Sequence, residues 1–269
     1  MNLENMIEKY RNSGYSEENA DARVCQDIVL KAIAISNLGN NVTIKGGVVM
    51  RSITGNVRRA TEDLDLDFIR YSLEDENIKR FIQKLNCLEG ITIEIKDNKI
   101  ERLSQHDYSG KRIYIIIKDD KGNAVESKID FGVHANISIE QDAYCFDVCM
   151  DDDGASLLIN SCEQIFAEKL RSLLRFGPLS TRYKDIFDFC YLKDHVDMPR
   201  LVNCIKTYII DEPTMREKDM NDVRKRIALT FSNRQFKRNV EHSKDRNWLQ
   251  IDVGTAFKII QDFLETINF

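Results

Sequence analysis

Between Ser16 and Leu38 the apolar residues Val24, Ile28, Val29, Ala32, Ile33 and Ile35 recur every three or four positions. That spacing predicts one long amphipathic helix, started by Ser16 as N-cap and stopped by Gly39. The period then changes. Asn41-Val42-Thr43-Ile44-Lys45 is a short β-branched run ending in Gly46-Gly47, which reads as a strand followed by a tight turn, and Val48 to Val57 reads as a short helix. From Thr61 to Phe68 polar and apolar residues alternate strictly, the signature of a strand with two unlike faces. Similar alternation at Ile91–Ile95, Arg112–Lys118 and Ser127–Val133 predicts further strands. Asp119-Asp120-Lys121-Gly122-Asn123 is the turn between the last two.

From residue 161 the helical period takes over. Ser161-Cys162-Glu163-Gln164 has the form of a capping box, and Phe166, Leu170, Leu173 and Leu174 follow at helical spacing. Helical signals continue to Phe269. The pattern predicts an α+β chain: a helix with a mixed or mostly antiparallel sheet in residues 1–160, then a helical domain in 161–269, with the boundary near 154–161.

Composition narrows the class. The 269 residues are 42% hydrophobic and 31% charged, with three prolines and twelve glycines, and the mean hydropathy is −0.40. These values exclude a membrane-embedded, collagenous or wholly disordered chain. The seven cysteines are odd in number and lack any C-x-x-C, so they predict buried free thiols in a reducing cytoplasm rather than a disulfide or zinc framework. The polar start, Met1 to Tyr10, has no signal-peptide core. His106, His134, His195 and His242 are scattered without a metal-binding spacing. The chain carries a net −5, yet Met215 to Arg246 holds ten bases against five acids. On a helical face such a segment is either an ordinary solvated surface or a dock for an RNA backbone.

The chemistry concentrates in Thr61-Glu62-Asp63-Leu64-Asp65-Leu66-Asp67-Phe68. On a strand Asp63, Asp65 and Asp67 share one face, about 7 Å apart, and Leu64, Leu66 and Phe68 share the other. Like charges at that spacing are relieved by water or by a cation, and paired carboxylates suit Mg²⁺ carried by a phosphate substrate. A half-exposed polar strand face is the plain alternative. Gly46-Gly47, at a strand-to-helix turn, lets backbone N–H groups approach phosphate oxygens. No P-loop, G-x-S-x-G or G-x-G-x-x-G occurs.

Gly46-Gly47 followed by Arg59-x-Thr61-x-Asp63-Leu64-Asp65-Leu66 resembles the signature of the polymerase-β-like nucleotidyltransferase superfamily in its AbiEii toxin branch. Glu168-Lys169-Leu170 and Arg182-x-x-Asp185-x-x-Asp188 resemble that branch's helical elements, so the likeness spans about residues 40–192. Val48 and Thr61 depart from the usual residues at their positions. The resemblance implies a polymerase-β-like domain whose active-site cleft is closed by an all-helical C-terminal domain. It implies transfer of a nucleoside monophosphate from an NTP to a hydroxyl, a reaction of EC 2.7.7 type, with Mg²⁺ as cofactor and pyrophosphate as product. It assigns Asp63, Asp65 and Asp130 to metal binding and catalysis, with Asp130 also a candidate base for the attacking hydroxyl. Gly46, Gly47, Thr61 and Lys169 would bind the nucleotide, and Lys169 and Asp185 would act in catalysis.

Each assignment has an ordinary counterpart. Asp130 can be a single polar residue on an edge strand, Lys169 a lysine snorkelling beside a helical core, and Arg182, Asp185 and Asp188 an intrahelical ion-pair ladder. Roles for Asp67, Asp188, Arg58 and Arg59 are left open. As a toxin of a toxin–antitoxin or phage-defence pair the chain would have a cognate antitoxin, and tRNA or another RNA is the acceptor the resemblance favours. Two other readings compete. Glu94-Ile95-Lys96 and Glu126-Ser127-Lys128 match the short E-x-K of metal-dependent nucleases, and a non-catalytic nucleotide- or partner-binding domain would keep the pocket without turnover.

Overall fold

A computed structural model describes residues 1–103, 110–243 and 246–269; His106, Lys244 and Asp245 lie outside the described residues. Contacts divide the chain into two units, Met1–Asn160 and Ser161–Phe269.

In the first unit, helix α1 (Leu3–Asn12) precedes α2 (Glu17–Ile35), whose start is capped by the Ser16 hydroxyl accepting from the Asn19 N–H. The helix ends three residues before Leu38, with Ser36 as its C-cap. Strand β1 (Val42–Lys45) runs directly into α3 (Gly46–Thr54). The expected helix over 48–57 is thus shifted: it begins on the diglycine itself and is stopped by Gly55, which takes the left-handed conformation at φ +60°. Then come β2 (Leu64–Phe68), α4 (Asp75–Lys84), β3 (Ile91–Leu103), β4 (Gly110–Asp119), β5 (Ala124–Val133), β6 (Asp142–Val148) and β7 (Asp151–Ile159).

The seven strands form one mixed sheet in the order β3-β4-β5-β2-β1-β7-β6. Strands β1 and β7, and β2 and β5, pair parallel, while the other neighbours are antiparallel. Strand β5 is therefore interior, between β4 and β2, and not an edge strand. The alternation read from sequence sorts the two faces. Leu64, Leu66, Phe68, Ile113, Ile115, Ile117, Ile129 and Phe131 are buried, and Phe68 meets Phe81 of α4 and Phe131 with ring centroids 5.2 and 5.1 Å apart. The other face of β2, β5 and β4 carries the charged residues.

A second cluster fixes α1 on α2. The fully buried Asp27 carboxylate accepts from the Tyr10 hydroxyl and the Cys149 N–H and pairs with Arg23 at 3.1 Å. Burial holds the Asp27 carboxyl above the usual range, although Arg23 and the hydrogen bonds oppose that rise.

Every regular element described in the second unit is helical: α5 (Cys162–Phe176), α6 (Tyr183–Leu192), α7 (Met198–Ile205), α8 (Met220–Ser232), α9 (Arg234–His242) and α10 (Val253–Thr266). The Ser161 hydroxyl caps α5 by accepting from the Gln164 N–H at 3.2 Å. No described helix is long and apolar enough to cross a membrane.

Candidate active site

The sheet register lays the charged residues out in rows. Lys45 on β1, Asp65 on β2, Asp130 on β5 and Arg112 on β4 are successive lateral neighbours. One step along lie Thr43, Asp67 and Gly132. On the other side Asp63 reaches Lys128, which pairs in register with Tyr114. Asp63 itself precedes β2, which begins at Leu64 and not at Thr61. Only Asp65 and Asp67 therefore share a strand face as expected, and Asp63 sits in the segment leading into it.

The three aspartates of that segment differ in environment. Asp67 is buried and pairs with Lys45 at 2.6 Å. Gly132 makes room for this pair, because a Cβ there would collide with Asp67 Oδ1. Asp63 is part-exposed and takes an ammonium from Lys128 at 2.9 Å. Asp65 is half-buried and faces the head of α3. Asp130 is gripped by Arg112 in a bidentate pair, Nε to Oδ1 and Nη2 to Oδ2, each 2.7 Å. That hydrogen bonding holds the Arg112 guanidinium above its ordinary range.

The diglycine is shaped by close approach. Gly46 takes φ +65°, a region costly for residues with a Cβ, and a Cβ there would strike Asp65 Oδ2. A Cβ on Gly47 would lie 2.5 Å from Thr61 Oγ1. The N-cap residue Lys45 makes no side-chain capping bond, and the first N–H groups and the positive end of the helix dipole lie beside Asp65 and Thr61. Gln26 steadies the segment from α2, donating to the Thr61 carbonyl at 2.8 Å. Arg59 is buried and Arg58 exposed.

The structure thus brings Gly46, Gly47, Thr61, Asp63, Asp65 and Asp130 to one side of the sheet. Among the described residues no three His, Cys, Asp or Glu side chains are gathered to hold a metal ion by themselves. Asp63 and Asp130 are each engaged by a base, Lys128 and Arg112. A Mg²⁺ that arrives with a triphosphate needs only one or two protein carboxylates. Asp63 and Asp65, beside backbone left uncovered by two glycines, match that requirement.

Lys169 and Asp185 fall in the helical unit. Lys169 of α5 is buried and bridges two carboxylates of α6, Asp185 at 2.5 Å and Asp188 at 2.9 Å. Arg182 adds a contact to Asp185 at 2.8 Å, so the expected ladder exists but is secondary to a bridge between helices. Asp188 is fully buried and accepts from the Trp248 indole at 2.9 Å.

The sequence reading missed Lys45, Arg112, Lys128 and Trp248. Lys45 directly precedes the diglycine and Arg112 opens an alternating run, but their partners follow only from the lateral register. The basic segment is partly internal: Arg224 donates to the Leu264 and Ile267 carbonyls and Arg226 to the Leu174 carbonyl. The E-x-K residues form cross-strand ion pairs, Lys118 with Glu94 and Lys96 with Glu126. All seven thiols are free, but only Cys25, Cys190 and Cys204 are buried, against the expectation that all would be. Burial pushes Cys190 and Cys204 up to about 12, which leaves them unreactive at neutral pH.

Comparison with known proteins agrees with the motif. Residues 28–251 match the family model described as nucleotidyl transferase AbiEii toxin, Type IV TA system, and the chain belongs to that family. Among solved structures the chain is similar to the antibiotic-resistance factor ANT(2'')-Ia, at 14% identity and a TM-score of 0.43, over 71% of this chain and 92% of that one. No curated protein matches.

Proposed function

We propose that this AbiEii-family toxin is a Mg²⁺-dependent nucleotidyltransferase of EC 2.7.7 type that moves a nucleoside monophosphate from an NTP to an acceptor hydroxyl, with RNA, tRNA included, as the acceptor. The observation that carries this reading is the packing of Asp65 against Gly46 at the N-terminus of α3. An anion held by that helix end would lie beside the carboxylate that a phosphate-bound cation needs.

In this reading the α3 amides, Gly46 and Gly47 hold the triphosphate, and Thr61 lines its path. Asp63 and Asp65 would hold the ion, with Asp130 as a third carboxylate. The ion supplies neutralisation of phosphate charge. The acceptor oxygen bonds to the α-phosphorus while the bond to the β-phosphate oxygen breaks. Pyrophosphate leaves with the electron pair, and the acceptor's proton passes to Asp130, which Arg112 keeps aimed along the row. Resemblance adds Lys169 as the group that offsets charge on the nucleotide, Asp185 as a member of the active site, and a cognate antitoxin as partner.

The test is transfer of label from each [α-³²P]NTP to total RNA with Mg²⁺, separated on gels from protein and small molecules. The wild-type chain should label RNA, and Asp65→Ala should not. Equal labelling by the two proteins would refute the assignment.

A further inference from the structure

The same polar face carries an aromatic ring that the proposed chemistry does not use. Tyr114 on β4 is 38% exposed. It lies two residues from Arg112, on the same face, and directly opposite Lys128 of β5. Arg112 shares its strand face, and Lys99 of β3 lies within charge-interaction range of the phenol. An exposed ring beside three cations is therefore set next to the carboxylates, on the flank away from the diglycine.

Direction follows from the strand order. If the triphosphate sits at the head of α3, on the β1 flank of Asp65, the leaving pyrophosphate departs on that flank. An in-line displacement then brings the acceptor over the opposite flank, across β5 and β4. There Arg112 and Lys128 are bonded to Asp130 and Asp63, and the Tyr114 ring stands open among them. A flat ring flanked by cations suits a partner that brings both a π-face and phosphates.

We infer that Tyr114 is a specificity-determining residue of the acceptor side: it stacks a nucleobase of a single-stranded RNA whose hydroxyl is presented to Asp130. This rests on the nucleotidyl-transfer reading, because that reading fixes which flank the acceptor uses.

The experiment uses the full chain with a fluorescein-labelled, single-stranded, mixed-sequence RNA of about 12 nucleotides, a length within the usual range of such sites. Fluorescence anisotropy without NTP should give saturable binding. Tyr114→Ala should weaken it about tenfold, the typical effect of losing one base stack, and Tyr114→Phe should retain it. Melting temperatures of both variants should match the wild type. In labelled transfer, Tyr114→Ala should raise KM for RNA and leave KM for NTP unchanged. Absence of saturable binding, or equal affinity of wild type and Tyr114→Ala, overturns the inference. Label passing to protein or a small molecule, indifferent to Tyr114→Ala, overturns it while sparing the transferase reading. Tyr114-dependent RNA binding without transfer from any NTP keeps the platform and removes the transferase.

Discussion

Gly46 and Asp65 are in contact across β1 and β2: the glycine's missing Cβ is the space the Asp65 carboxylate fills. Glycine is demanded twice there, by φ +65° and by that carboxylate. The arrangement sets one acid beside the start of α3, at the positive end of its dipole.

Gly46→Ala should therefore damage function more than folding. The left-handed backbone costs about 1–2 kcal/mol for a residue with a Cβ, a loss a domain of ordinary stability survives. The new methyl drives Asp65 from its place, so label transfer should fall by at least the hundredfold that small misplacements at reacting centres can cause. Circular-dichroism melting and the RNA-labelling assay measure the two effects. A variant with full activity would show that the contact is only packing.

Asp67 should behave in the opposite way to Asp65. It is buried with Lys45, and removing one member of such a pair leaves an uncompensated charge. Asp67→Asn is expected to lower stability by about 3–5 kcal/mol. Lys45 also stands opposite Asp65 in register, so its released ammonium can turn to that carboxylate and reduce activity. The double variant Lys45→Met, Asp67→Asn should recover part of the stability, and urea unfolding of the four proteins in the cycle checks it.

The sequence carried the row of acids but not their partners. Alternation in Thr61–Phe68 exposed Asp65 and Asp67, and Ser16 and Ser161 marked helix starts because capping is local chemistry. Strand β2 starts late because pairing with β1 and β5, not alternation, sets its ends. Strands β6 and β7 went unread: the acidic run Asp151-Asp152-Asp153 resembles a loop and hides the buried alternation Ala155, Leu157, Ile159. Helix α4 also went unread, although Ile78, Phe81, Ile82 and Leu85 recur at helical spacing, because its other residues are mostly polar. The bonds Arg112–Asp130 and Lys45–Asp67 depend on which strands become neighbours, and Trp248 meets Asp188 across 60 residues of chain. Such pairings belong to tertiary structure and have no periodicity to betray them.

Acid should reveal the staple at the β4–β5 turn. Asp119 accepts from the N–H groups of Leu3, Lys121 and Asn123 and from the Asn123 amide. Desolvation tends to raise its pKa, but these hydrogen bonds outweigh it and hold the carboxyl at about 2, against an ordinary 3.8. A depressed value means stability fully present above the unfolded pKa and lost as pH falls from there through the folded one. Wild type should therefore melt above Asp119→Asn at neutral pH, and the gap should close between about pH 4 and pH 2. A gap that stays constant into acid would deny the staple its charge.

Lys169 separates a structural role from a nucleotide-binding one. Its ammonium touches both Asp185 and Asp188, and all three side chains are almost wholly buried. Lys169→Met would remove the ammonium that bridges the two carboxylates, expected to cost about 3–5 kcal/mol. The only tryptophan of the chain, Trp248, donates to Asp188 and is buried, so its emission reports this cluster directly. If Lys169 is solely a counter-ion, the variant should show an earlier, red-shifted fluorescence transition. Below that transition its KM for NTP should equal the wild type's. If the lysine also holds phosphate, KM should rise at temperatures where the Trp248 emission is still native. Adding Asp185→Asn to Lys169→Met removes one of the two charges the ammonium had bridged and should recover stability, but it cannot recover a lost phosphate contact. The double variant's melting point and KM together therefore decide between the roles.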